Sequence, residues 1–212
     1  MTRELWLEQR KQGIGGSDAA AIIGCSPYMS NQELYRIKTG EMQPKDLSDE
    51  PVIKYGNKAE PLLRAMFALD YPNYDVHYEE FKIYKNKEYP FIQGSLDGIL
   101  TEKATGKKGV LEIKTALINS SLQGDNWKDK LPKNYYIQVL HYLLVTGFDF
   151  AIVYAKLNYD SFYYKDVKKI CTYWIEAESV KEDLEMLKQA EIDFWQNNVL
   201  QKKCPPTILP PI

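Results

Sequence analysis

Between residues 74 and 115 the chain carries four short extended runs, and on both sides of them apolar residues recur at helical spacing. That order leaves few solutions: strands gathered into a sheet with helices packed on it, an α/β sandwich. The run GVLEIKTA, residues 109–116, is of strand type and apolar, yet it contains two charges. In an extended chain Glu112 and Lys114 share one face, while Leu111, Ile113 and Thr115 take the other. One face is expected to be apolar and the other to hold a charge pair. The fragment GSLDGIL, residues 94–100, adds Asp97 at the end of a neighbouring apolar run. The two runs are joined directly by TEKATGKKG, residues 101–109, and consecutive strands are usually sheet neighbours.

The helical segments have their own punctuation. A short helix covers LWLEQRK, and after a glycine turn a second starts at Ser17 or Asp18 and ends near Gly24, with Ser17 able to cap the first amides. SNQE, residues 30–33, has the capping-box pattern of Ser30 with Glu33 and leads into a helix stopped by Gly40. Residues 40–51 read as an exposed loop. From Val52 to Leu69 the stripe Ala59, Leu62, Leu63, Met66 and Phe67 points inward, and Pro61 places Glu60 beside a helix start or a kink. The extended runs are Tyr74–His77, Glu80–Tyr84, Phe91–Leu100 and Val110–Thr115. A helix from about Pro132 to Val145 sets Gln138 and Tyr142 one turn apart on one face. Phe150–Leu157 and Ser161–Val167 read as two more strands, and Glu176 to about Leu200 as a long closing helix. The final CPPTILPPI carries too much proline for either regular state.

Composition narrows the function classes. The 212 residues, 44% hydrophobic and 13% aromatic, suit one well-packed domain. No apolar run reaches the roughly 20 residues of a membrane span, and the N-terminus has no signal-peptide apolar region, so a soluble, intracellular protein is expected. Cys25, Cys171 and Cys204 are scattered, which suggests neither a disulfide framework nor a zinc site. A net charge of −2 is not that of a protein that coats duplex DNA nonspecifically, although it leaves room for a local lysine-lined groove. Three clusters are candidates: Lys103, Lys107 and Lys108; Lys128, Lys130 and Lys133; Lys165, Lys168 and Lys169. The plain reading of each is a solvated loop or helix end.

If the strands of Asp97 and Glu112 are neighbours, two carboxylates meet in one space. They form the hard oxygen set that Mg²⁺ or Mn²⁺ prefers, and a divalent ion relieves their repulsion, acidifies water and leaves positions for phosphate oxygens. Lys114 is placed to hold the attacking water or to stabilise charge on the phosphoryl group. The Ile113 carbonyl is a further candidate ligand, and Glu60 another carboxylate. Gln138 and Tyr142 are placed to orient Lys114 and the substrate. Phosphodiester hydrolysis needs on the order of 20 kcal/mol of barrier reduction, which favours a metal over a carboxylate and lysine alone. An isolated ExK triplet is also what a surface ion pair looks like. Such pairs contribute only about 0 to 1 kcal/mol, so stability is a weak reason for charges in so apolar a run. His141 reads as a satisfied helix histidine and His77 as a surface residue, without zinc-site spacing. GIGGSD lacks the ending of a P-loop, so ATP is not implied.

With those residues in hand, the sequence resembles the PD-(D/E)xK nuclease superfamily, and within it the YqaJ-like viral recombinases that are similar to phage lambda exonuclease. The matching features, in the family's order, are RKQGIGGSDAAAIIG with Arg10 and Ser17, GNKAE with Gly56 and Glu60, GSLDG with Asp97, EIK with Glu112 and Lys114, and Gln138 with Tyr142. The superfamily's proline before the aspartate is Leu96 here. The resemblance implies a restriction-endonuclease-like core, a central mixed β-sheet flanked by helices, in one nuclease domain over residues 1–203 with a proline-rich tail at 204–212. It implies two-metal hydrolysis with Mg²⁺, or Mn²⁺, at Asp97, Glu112, the Ile113 carbonyl and Glu60, with Lys114, Gln138 and Tyr142 in the catalytic set. Arg10 and Ser17 would receive a terminal 5′-phosphate, which agrees with the anion preference of a helix start. The implied activity is 5′-to-3′ digestion of one strand at double-stranded DNA ends, leaving 3′ overhangs for a single-strand annealing protein. The resemblance also implies a trimeric ring around the DNA and a phage or prophage protein in the cytoplasm of a bacterial host. An endonuclease or repair nuclease on the same core, or a noncatalytic DNA-end-binding protein, is the alternative.

Overall fold

Helix α1, Arg3–Lys11, opens with the Thr2 hydroxyl accepting from the Leu5 amide. The computed structural model describes residues 2–160 and 167–208. Helix α2 spans Gly16–Ile22 and helix α3 Asn31–Lys38, the latter closed by the reciprocal Ser30–Glu33 capping box that its sequence announces. Helix α4, Pro51–Asp70, starts on a proline whose missing amide costs nothing there. It also runs unbroken through Pro61, so Glu60 lies mid-helix, beside neither a start nor an end. Of the expected inward stripe, Ala59, Leu63 and Phe67 are buried and Met66 is half-buried, but Leu62 is 72% exposed.

The strands are β1 Tyr74–His77, β2 Tyr84–Lys85, β3 Gln93–Gly94, β4 Gly98–Glu102 and β5 Lys108–Ile118. The short helix α5, Ser121–Asp125, precedes helix α6, Lys133–Thr146, which ends on Gly147 at a φ of 66°. Strand β6, Phe150–Tyr159, and strand β7, Val167–Glu176, are followed by a 3₁₀ turn, helix α7 at Lys181–Asp193, and a π-helical turn at Phe194–Val199. The expected extended segment at Glu80–Tyr84 reduces to β2, and that at Phe91–Leu100 breaks between β3 and β4. The expected strand Ser161–Val167 falls, except for Val167, outside the described residues. The strand after it, KKICTYWIE at 168–176, is rich in β-branched and aromatic residues, a signal that sequence reasoning passed over. The closing helix begins later than expected, at Lys181.

Five strands form one mixed sheet in the order β1-β4-β5-β6-β7, with β5 and β6 parallel and the other pairs antiparallel; β2 and β3 pair separately. The parallel pair requires a long crossover, and α5 and α6 supply it. Helix α4 covers one face, where Leu63 and Phe67 meet Leu111, Ile113, Ile152 and Tyr154. Helix α6 covers the other, where Val139 and Leu143 meet Val110, Ala151 and Val153. This is an α/β fold with a restriction-endonuclease-like core, the central mixed sheet flanked by helices. Covering both faces has a consequence for β5: the side carrying Glu112 and Lys114 is as enclosed as the apolar side, and Glu112 is only 2% exposed. Residues 205–208 adopt no helix or strand but pack on α3, with the Asn31 and Gln32 amides donating to the carbonyls of Pro206 and Pro205.

Candidate active site

Strands β4 and β5 bring Asp97 and Glu112 together by where their ladder stops. The last register pair is Gly98 with Leu111, one residue short of Asp97. Beyond it the Asp97 carboxylate takes the place of a backbone partner, accepting from the Ile113 amide at 2.8 Å. Glu112 sits in the middle of β5 and ion-pairs with Lys114 at 2.7 Å, as same-face spacing requires. Gln138 on α6 closes the group. Its amide nitrogen donates to Glu112 at 2.8 Å and lies 2.9 Å from the Tyr142 hydroxyl, while its oxygen accepts from Lys114 at 3.0 Å. Glu60 approaches from α4, held by Arg64 one turn on, and Arg64 also donates to the Asp97 carbonyl at 2.5 Å.

Three carboxylates, Glu60, Asp97 and Glu112, thus face two cations, Lys114 and Arg64. Burial pushes the Glu112 carboxyl above its usual range, and the Asp97 charge adds to the push. Burial and then Asp97 do the same to Glu60, against Arg64; burial also raises Asp97. Burial pulls Lys114 down, but the charges of Glu112 and Asp97 outweigh it and the net direction is up, so the ammonium stays charged. One oxygen of Glu112, Oε2, is buried with no hydrogen-bond partner among the described residues. As placed, no three His, Cys, Asp or Glu side chains among the described residues form a cluster able to hold a metal ion. The donor chemistry nevertheless fits a divalent cation. The set is all hard oxygen, carries one excess negative charge, and includes a buried carboxylate oxygen without a hydrogen-bond partner among the described residues.

The other expected residues lie beside this group. The GIGG turn is fixed to β3 by Ile14, which exchanges backbone hydrogen bonds with Phe91 and Gln93, and by Lys38, which pairs with Asp18 at 2.7 Å and donates to the Gly13 carbonyl. Gly15, not Ser17, caps α2: Asp18 accepts from the Gly15 amide, and Ser17 is exposed at the second helical position. The turn comes close to Tyr142 because it has no side chain there. A Cβ on Gly16 or Gly94 would stand 2.7 or 2.8 Å from the Tyr142 ring. Arg10 is exposed, its guanidinium 4.5 Å over the Trp6 ring, and the Trp6 indole donates to Ser95 at 2.8 Å. Sequence reasoning missed three neighbours. Arg64 was legible as the i+4 partner of Glu60. Tyr135, whose ring centroid is 4.9 Å from the Lys114 ammonium, and Trp6 left no local signal.

The sequence profile of the YqaJ-like viral recombinase domain matches residues 5–149, a span that holds all of these side chains. The protein YqaJ of Bacillus subtilis, itself uncharacterised, is 31% identical over 206 residues; they cover 97% of this chain and 59% of that protein's length. Among solved structures, the alkaline exonuclease of Laribacter hongkongensis superposes with a TM-score of 0.66 at 17% identity, over 94% of this chain and 96% of the other. A phage-related exonuclease of Haemophilus somnus gives 0.59 at 14% identity, over 90% and 96%. These two likenesses establish a fold shared with those two exonucleases. The match over residues 5–149, with the ordered carboxylates and lysine inside it, makes the chain a member of the YqaJ-like viral recombinase family within the PD-(D/E)xK nuclease superfamily.

Proposed function

We propose that this chain is a Mg²⁺-dependent exonuclease, with Mn²⁺ as a substitute, that hydrolyses linear double-stranded DNA from 5′ to 3′ and leaves 3′ overhangs for strand annealing. The observation that carries the reading is the buried, partnerless Oε2 of Glu112 beside Asp97. Asp97, Glu112, the Ile113 carbonyl and Glu60 would hold the metal, two ions in the full form. Divalent cations there supply Lewis acidity for the scissile phosphate and a more acidic water. Lys114, charged and anchored by Gln138, orients the water and stabilises the negative charge that develops on the phosphoryl oxygens. Gln138 and Tyr142 act as positioning residues, linking Lys114 to Glu112 across α6. Arg10 and Ser17 would take the terminal 5′-phosphate, Arg10 from a side chain whose charge already reaches Tyr142. A trimeric ring belongs to the same reading and is checked by light scattering.

A gel assay of linear duplex, labelled on each strand and bearing either a 5′-phosphate or a 5′-hydroxyl, tests this directly. Mg²⁺ is expected to give mononucleotides from the 5′-phosphorylated strand, EDTA to stop release, and closed circular DNA to stay intact. Arg10→Ala is expected to cut the preference for 5′-phosphate by about tenfold, the weight of one hydrogen bond to a charged group. Linear and nicked duplex left whole in Mg²⁺ and in Mn²⁺ would defeat the enzyme reading.

A further inference from the structure

On the far side of Glu60, helix α4 and the ends of β6 and β7 enclose a groove of about 570 Å³. Its floor is apolar, formed by Ala59, Leu63, Met66 and Ile170, and Tyr55 stands at one end. Its rim is Lys58, Lys156, Lys168 and Lys169, and among the described residues no Asp or Glu lines it. None of the four lysines forms an ion pair among the described residues. The chain as a whole has 29 acidic residues against 27 basic ones, so four unpaired lysines without a carboxylate are a local departure from its bulk charge. The Lys156 hydrogen bond, the Lys156 charge and then Asn158 and Lys168 hold the Tyr55 phenol below its usual range, a sign of positive potential.

The groove adjoins the carboxylate group. Lys156 pairs in register with Thr115, the residue after Lys114, and the open backbone of Gly56 packs at Thr115. From Tyr55 to Met66 the groove follows α4 for about 16 Å at the helical rise, room for two or three nucleotides. We infer that this groove binds a single strand of DNA, with the lysines on successive phosphates and Tyr55 against a base. A strand rather than a duplex fits, because the Tyr55 ring, 42% exposed with the Lys156 ammonium 5.5 Å over it, and the apolar floor are matched by bases that are not already stacked on a partner strand. The inference rests on the nuclease reading, since digestion of one strand leaves the other single.

Fluorescence anisotropy in EDTA, with a labelled 5′-hydroxyl oligothymidylate long enough to span the groove, reads the binding. In the triple variant Lys58→Gln, Lys156→Gln, Lys168→Gln, Kd is expected to rise at least about tenfold, and the slope of log K against log salt to shrink by about 2, the loss of three phosphate contacts. Tyr55→Leu is expected to weaken strand binding about fivefold or more while leaving inorganic polyphosphate unaffected. Circular dichroism melts establish that both variants fold, and the replaced side chains are exposed or half-buried. Strand binding within twofold of wild type in the triple variant would overturn the inference. So would equal effects of Tyr55→Leu on polyphosphate, which would mark a general polyanion surface. Wild-type digestion of linear duplex, run in parallel, separates the two readings: cleavage with unchanged strand binding rejects the groove alone, and groove-dependent binding without cleavage rejects the nuclease.

Discussion

Glu112→Gln is expected to lower hydrolysis of linear duplex by about 10³-fold while melting in EDTA no lower than the wild type. The two outcomes have one origin. Glu112 is buried in the middle of β5, and its Oε2 has no partner among the described residues. Together with Asp97 and Glu60 it outnumbers the cations Lys114 and Arg64. Without a metal, burial and the Asp97 charge push the Glu112 carboxyl up to about 8, so near neutral pH it takes up a proton, and glutamine, neutral as well, keeps an oxygen that can accept from Gln138 and Lys114. The loss of activity has the size seen when a preorganised group that stabilises developing charge is deleted. Each kcal/mol relieved corresponds to about 2–4 °C in Tm for a domain of this size. Added Mg²⁺ is expected to raise the wild-type Tm and to leave the variant unmoved, so calorimetry with and without metal checks both halves. A variant that melts well below wild type in EDTA would show that Glu112 is structural.

Glu191→Ala is expected to be the most destabilising of the substitutions considered, at about 3–5 kcal/mol, or roughly 6–20 °C in Tm. Glu191 on α7 and His141 on α6 are both fully buried and pair at 2.8 Å, and the other imidazole nitrogen meets the Gln93 carbonyl at 2.9 Å. This network ties the closing helix and β3 to the helix that carries Gln138. Burial pulls the His141 pKa down, but the Glu191 charge and hydrogen bond, then the Gln93 carbonyl and Asp18, outweigh it and the net direction is up. A folded-state pKa above the unfolded value means that the stabilisation is complete below about pH 6.5 and is lost as pH rises through the raised value. The Tm gap between wild type and Glu191→Ala is therefore expected to be widest near pH 6 and to narrow above neutrality. A gap independent of pH would mean that His141 stays neutral. The double variant His141→Phe, Glu191→Leu is expected to recover part of the loss, because the buried charge pair is gone and the Gln93 carbonyl alone loses its partner.

How much of this was legible beforehand depends on the range of the interaction. The capping box at Ser30 and Glu33, the Gly40 stop and the alternation in β5 are settled within a few residues, and they read correctly from the chain. Of the two readings of Pro61, a helix start is excluded, because a long helix packed along one face of the sheet can lose one backbone hydrogen bond and continue. Ser17 misled because the Asp18 carboxylate, anchored by Lys38, supplies the acceptor at the start of α2.

By itself, the sequence determined the α/β class and which side chains share a face, because strand alternation and helical spacing are local and leave Glu112, Lys114, Gln138 and Tyr142 no other faces. Only the tertiary structure decided what those side chains experience. Covering both sheet faces turned an apparent surface ion pair into a buried one. It brought Arg64 to the Asp97 carbonyl and Glu191 to His141, and it left a lysine-rimmed groove between α4 and β7. These depend on partners 33 and 50 residues apart in the chain, whose meeting is fixed by the packing of whole helices on the sheet and not by any local pattern.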